Sequence, residues 1–179
     1  MAKAEVLQPF ILSWEGGFAN VPGDRGGATN KGVTLETYRV VFGREKTVDD
    51  LKHLTDAEWL EIFRNYYWNK WRADKIENQA VANLLVDWYW CSGAYGIKIP
   101  QYMLGVAIDG IVGPRTLAAL NGYKDQKLLF DKLWQERSDF LHRIAKGAQK
   151  KFLKGWINRL RSIKYDKLVC NGGNTVLIL

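Results

Sequence analysis

Glu15-Gly-Gly-Phe-Ala-Asn20-Val-Pro-Gly-Asp24-Arg-Gly-Gly-Ala-Thr29-Asn-Lys-Gly-Val-Thr34 is the stretch from which the rest of this chain can be read. Immediately before it, Leu7, Phe10, Ile11 and Trp14 fall at i, i+3, i+4 and i+7, the apolar stripe of a short amphipathic helix. Glu15 continues the row Leu7, Ile11 and therefore points where the apolar side chains point. A carboxylate held against apolar neighbours is disfavoured in its charged form, and a carboxyl that keeps its proton near neutrality can serve as a general acid. Gly16-Gly17 is expected to close the helix through left-handed backbone. Downstream, Asn20, Pro22, Gly23, Asp24, Gly26, Gly27, Thr29 and Gly32 form a turn-rich segment that aims Asp24 and Thr29 back toward the helix end. The competing interpretation of Glu15 is a solvated residue in a last helical turn.

The pattern elsewhere is predominantly helical. Thr34 is expected to cap a helix running to about Val41 and closed by Gly43. Thr47-Val-Asp-Asp50 and Thr55-Asp-Ala-Glu58 have the form of capping boxes, the second opening a longer helix to about Trp71. Residues 77–91 form a strongly apolar helix through Val81, Leu84, Leu85 and Trp88, broken by Gly93 and Gly96. Amphipathic helices are expected over 128–141 and, more basic, over 148–164. Strand signals are weak. Residues 17–34 allow a short irregular hairpin, and the terminal Thr-Val-Leu-Ile-Leu suits an edge segment.

Residues 101–120 read as helix, turn, helix. Asp109-Gly110 supplies the turn, Gly113-Pro114 starts the second helix, and Leu117 and Leu120 give it an apolar face. Asp87 stands among Leu84, Leu85, Trp88 and Tyr89. It is either functional or a buried hub accepting hydrogen bonds from backbone or arginine, with the hub favoured.

Size and charge narrow the alternatives. A chain of 179 residues, 47% hydrophobic and 13% aromatic, supports one domain with a real core. The net charge of +7 is uneven: residues 124–167 hold 13 Lys/Arg against 5 Asp/Glu, and residues 1–123 hold 13 against 14. Such a field draws the protein to polyanions, either a bacterial envelope or nucleic acid. Nucleic acid is not the expected partner, because it gives the Glu-Gly-Gly segment nothing to do. Cys91 and Cys170 are expected as free thiols. His53 and His142 stand apart from both cysteines, so no zinc site, other metal or cofactor is called for. No apolar run reaches the ~18 residues of a membrane span. The N-terminus lacks the apolar core of an ordinary secretory signal, so synthesis in the bacterial cytoplasm without such a signal is expected. Arg143 and Arg159 read as solvated side chains.

The Glu15–Thr34 segment resembles the opening motif of the glycoside hydrolase 108 family of N-acetylmuramidases, once labelled secretion activator proteins. Glu15 falls on the acid of that family's Glu-Gly-Gly-aromatic tetrapeptide. Asn20, Pro22, Asp24, Gly26-Gly27, Thr29 and Gly32-Val33-Thr34 fall on its Asn-x-Pro-x-Asp-x-Gly-Gly-x-Thr-x-x-Gly-Ile-Thr pattern. Asp87-Trp-Tyr-Trp-Cys91-Ser-Gly93 lies over the family's Asp-x-x-x-Asn-x-Gly, with Cys91 where asparagine is usual. Residues 101–120 are similar to the peptidoglycan-binding motif found in the C-terminal half of these proteins, although turn chemistry alone explains their residue types. Lys151-Phe-Leu-Lys-Gly-Trp156-Ile-Asn-Arg159 resembles the family's closing Phe-x-x-Gly-Trp-x-x-Arg helix.

The resemblance implies an all-α, lysozyme-like fold with an irregular active-site loop or short hairpin. It also implies a catalytic region over 1–95 and a peptidoglycan-binding-like region over 96–179, packed into the same domain. The implied activity is hydrolysis of the β-1,4 bond between N-acetylmuramic acid and N-acetylglucosamine at the cell wall, with no cofactor. Glu15 would be the general acid, Asp24 would stabilise the transition state or activate water, and Thr29 would position that water. Asn20, Thr34, Asp87, Trp88 and Tyr95 are candidate substrate contacts. A lytic transglycosylase and a non-catalytic wall-binding or secretion-related module are the alternatives.

Overall fold

The computed structural model describes residues 1–20 and 27–178, and 61% of the chain is helical. Helix α1 spans Ala4–Trp14 and buries Leu7, Phe10 and Ile11. It does not end on a left-handed glycine. Glu15 itself turns extended (φ −88°, ψ 146°) while its N–H still donates to the Ile11 carbonyl, and neither Gly16 nor Gly17 has positive φ.

The chain next forms a small hairpin, β1 (Thr29–Asn30) with β2 (Val33–Thr34), in which Thr29 pairs with Thr34 and Asn30 with Val33. Lys31 (φ 48°) and Gly32 (φ 78°) make its two-residue turn, the positive-φ pair that matches the twist of tight hairpins. Thr29 also exchanges both backbone hydrogen bonds with Ala19, each 2.8 Å. The hairpin is fixed from below. Buried Asn30 donates to the carbonyls of Leu51 and Lys52, Trp59 Nε1 donates to the Lys31 carbonyl, and Lys31 Nζ reaches Asp56.

Helices α2 (Leu35–Phe42), α3 (Val48–Lys52) and α4 (Asp56–Phe63) follow. Thr34 caps α2 and Gly43 closes it, while Thr47/Asp50 and Thr55/Glu58 both form reciprocal capping boxes. The helix expected to run on to Trp71 instead widens after Phe63 into a π-turn over Arg64–Trp68, with Asn69 N–H donating to the Arg64 carbonyl. That extra residue in the turn re-aims Tyr67 and Trp68.

Helix α5 (Gln79–Ser92) is the central element, enclosed from Ala80 to Trp88. Gly93 terminates it at positive φ. Gly96 breaks nothing. It lies within α6 (Tyr95–Met103), where a Cβ would meet Tyr89 N at 2.5 Å and the Trp88 carbonyl carbon at 2.7 Å, so glycine is what lets α6 press onto α5. Helix α7 (Pro114–Asn121) starts on proline, as its sequence predicts. The turn before it is organised by Gln101, which is fully buried: its amide donates to Asp109 Oδ1 and the Ile111 carbonyl and accepts from Gly110 N–H.

Helix α8 (Gln126–Ile144) packs along α5, and α9 (Leu153–Arg161) returns against α8 after a short 3₁₀ stretch. The chain closes with β3 (Lys167–Val169) paired to β4 (Thr175–Leu177), the latter being the expected edge segment. No helix among the described residues is long and apolar enough to cross a membrane.

Candidate active site

Three distant parts of the sequence converge on Glu15. The first is α1, which delivers the residue at its C-terminal cap. The second is α5, whose Trp90 donates its indole N–H to Glu15 Oε1 at 2.7 Å. The third is α9, whose Arg159 Nη1 donates to the same oxygen at 3.0 Å. The Glu15 side chain is 19% exposed, so one edge faces outward and the rest is held by protein.

Trp90 is immobilised by its neighbours. Its ring lies 4.4 Å from Tyr67, 5.7 Å from Trp59 and 5.9 Å from Phe63. Tyr67, which packs on that ring, belongs to the π-turn. The hairpin completes the enclosure. A Cβ on Gly32 would stand 2.7 Å from Trp90 Cζ2 and 3.0 Å from Glu15 Oε2, so only a glycine fits where the turn presses on the carboxylate. Gly32→Ala adds a clash to a left-handed backbone that itself disfavours a side chain by about 1–2 kcal/mol. This variant should melt several degrees lower and lose activity more than tenfold. A thermal melt and an activity assay on it would check both.

Beneath Glu15 lies a sealed charge cluster. Asp87, with no exposed surface, accepts from Arg159 through Nε (3.1 Å) and Nη2 (2.7 Å) on Oδ1, and from Arg137 Nη2 (2.7 Å) on Oδ2. Burial pushes the Asp87 carboxyl up, but Arg159 and Arg137 outweigh it and hold it below the ordinary aspartate value. Arg159 is raised in turn: burial opposes its charge, and the Asp87 carboxylate overrides that cost. The guanidinium also rests over the Phe10 ring, 5.8 Å from the centroid. Cys91, one turn beyond Asp87, is exposed as a residue, yet its sulfur turns to within 4.0 Å of Asp87 Oδ2. Packing around the sulfur, and then Asp87, push this thiol up to about 11. It borders a recess of about 100 Å³ shared with Ser92, Trp156 and Arg159.

The glycosyl hydrolase 108 family profile matches residues 8–93, and a profile described as a predicted peptidoglycan domain matches residues 95–161. SagA of Brucella abortus has a solved structure that is 33% identical, with a TM-score of 0.72, covering 89% of this chain and 90% of that one. The chain belongs to the glycosyl hydrolase 108 family. It is a glycoside hydrolase whose partner is peptidoglycan. No curated protein matches the sequence.

Seen as a member of this family, the chain corrects several expectations. Glu15 does not sit against a purely apolar wall, because a guanidinium faces it. Arg159, expected to be solvated, has a side chain only 12% exposed and bridges two carboxylates. Asp87 and Trp88 cannot touch a glycan, since both are fully enclosed. Asp87 is the hub of the arginine cluster, and the Trp88 ring packs 6.1 Å from Phe140. Thr34 engages its hydroxyl at the α2 cap, accepting from Thr37 N–H at 3.2 Å. Tyr95 is 61% exposed at the start of α6, against Phe140. Thr29 lies on β1 and Asn20 is exposed at the last described position before residue 21. Asp24 falls outside the described residues.

The pairing of Trp90 and Arg159 with Glu15 is what sequence reasoning missed. Trp90 stands three residues after Asp87, on the same side of α5, which was a signal that this face carries more than core.

Proposed function

We propose that this glycoside hydrolase is an N-acetylmuramidase, cleaving the β-1,4 bond between N-acetylmuramic acid and N-acetylglucosamine with Glu15 as general acid. The observation that carries the reading is the seat of Glu15. It is a carboxyl fixed on one oxygen by two N–H donors, with an outer edge open beside two glycines. The Glu15 side chain keeps 19% of its surface exposed, which supports access to the carboxyl from outside. Glu15 would protonate the leaving glycosidic oxygen. Asp24 would stabilise the oxocarbenium-like transition state or activate water, and Thr29 would position that water. A separation near 5 Å between the two carboxyls implies retention and about 6.5–9.5 Å implies inversion.

The exposed cations Lys146, Lys150, Lys151, Lys154 and Lys164 would concentrate the enzyme at a polyanionic wall, its proposed place of action. Digestion of purified sacculi followed by mass spectrometry is the test. Products ending in reducing muramic acid are expected. 1,6-Anhydromuramic ends would assign a lytic transglycosylase, and binding without product a non-catalytic module.

A further inference from the structure

We infer that Arg159 is a positioning residue for Glu15, aimed by Asp87, so that the C-terminal region supplies part of the catalytic apparatus as well as any hold on the wall. The inference rests on the reading of Glu15 as the general acid. Its basis is how three N–H groups of one guanidinium are divided. Two of them, Nε and Nη2, converge on Asp87 Oδ1, and the third, Nη1, reaches Glu15 Oε1. Asp87 does not need Arg159 for all its pairing, since Oδ2 is already bound by Arg137. Arg159 is thus a planar bracket. Its anchored edge lies in a sealed site, Phe10 lies under its face, and its free corner is directed at the carboxyl on α1.

The bracket also distinguishes the two oxygens of Glu15. Oε1 receives both Trp90 Nε1–H and Arg159 Nη1–H, and a proton on that oxygen would point into two donors. Among the described residues Oε2 accepts no hydrogen bond. The transferable proton therefore belongs on Oε2. In the reaction the Oε2–H bond breaks and an O–H bond forms on the leaving sugar oxygen, which keeps the electron pair of the breaking C1–O bond; water then adds to C1 and gives up its proton. The negative charge left on Glu15 is then already faced by Arg159 and Trp90, with no reorganisation at that moment.

The test uses the full chain with Arg159→Lys, Arg159→Met and Trp90→Phe, measured on soluble peptidoglycan fragments, with melting followed in parallel. Lysine keeps the charge but cannot bracket two carboxylates at once. Arg159→Lys should keep KM within about twofold and lower kcat at least tenfold, and Arg159→Met should lower it about a hundredfold, the scale of a misplaced catalytic group. Trp90→Phe, which leaves the Asp87 cluster untouched, should likewise lower kcat more than it changes KM. A folded Arg159→Lys protein with wild-type kcat would overturn the inference, as would a raised KM at constant kcat, which would make Arg159 a substrate contact. A second readout needs no turnover. Solvent exchange of the Trp90 indole proton, followed by NMR, should quicken at least tenfold in both Arg159 variants. Unchanged exchange overturns the positioning role, whereas an inactive wild-type protein with quickened exchange in the variants would indict only the muramidase reading.

Discussion

Glu15→Gln should abolish glycan cleavage, by about 10²–10⁴-fold, while leaving the protein folded. The amide matches the carboxyl in shape, and its oxygen can still accept from Trp90 and Arg159 where Oε1 now does. Its nitrogen then takes the place of Oε2, where it has no acidic proton to give. Arg159 loses one charged partner but keeps both hydrogen bonds to Asp87, so the expected cost to stability is about 1 kcal/mol. Release of soluble fragments from sacculi, read beside a thermal melt, separates the two effects. Near-wild-type release from the glutamine variant would remove Glu15 from the chemistry. A collapse of the melt would mean that its role is structural.

How much of this was written locally decides how much could be read in advance. The two capping boxes were legible because each is closed within three residues, Thr47 with Asp50 and Thr55 with Glu58. The same holds for the Thr34 cap and the proline start of α7. The π-turn was not legible, since residues 55–71 keep a helical apolar spacing and the contact its Tyr67 makes, with Trp90, lies in another helix. Buried Asn30 and Gln101 were missed for a related reason. Each satisfies backbone groups outside its own element, and a polar side chain carries no local mark of that duty.

The charge cluster shows the limit most clearly. That Asp87 wants arginine partners follows from a carboxylate in an apolar helix. Arg137 could have been nominated as one, because it occupies the buried row Phe130, Leu133, Arg137, Phe140 and Leu141. Arg159 could not. It lies in the most basic part of the chain, among cations that are indeed exposed, and its partner Glu15 is 144 residues away. The family's closing Phe-x-x-Gly-Trp-x-x-Arg helix marked the residue without saying what it holds.

Asp87→Asn should be the most destabilising of the conservative changes considered. An asparagine offers one accepting oxygen and turns an N–H₂ toward whichever guanidinium faces its other side. Both arginines then lose the Asp87 anion, and one of them also loses its acceptor, inside a site where the Arg137 side chain is 3% and the Asp87 side chain 0% exposed. Removing one member of such a buried ionic group costs about 3–5 kcal/mol. At the size of this chain that corresponds to a fall in melting temperature of roughly 6–20 °C. The pH dependence has a definite sign. Because the folded-state value for Asp87 lies below its ordinary 3.8, the carboxylate's contribution is fully present above that value and is lost as the pH falls through the folded-state value. The stability gap between wild type and variant should therefore be widest near neutrality and shrink in strong acid. Denaturant titrations of both proteins at neutral pH and at several points below 3.8 would show it. A gap that stays constant across that series would mean that the penalty is steric, and that the two arginines are not held by Asp87's charge.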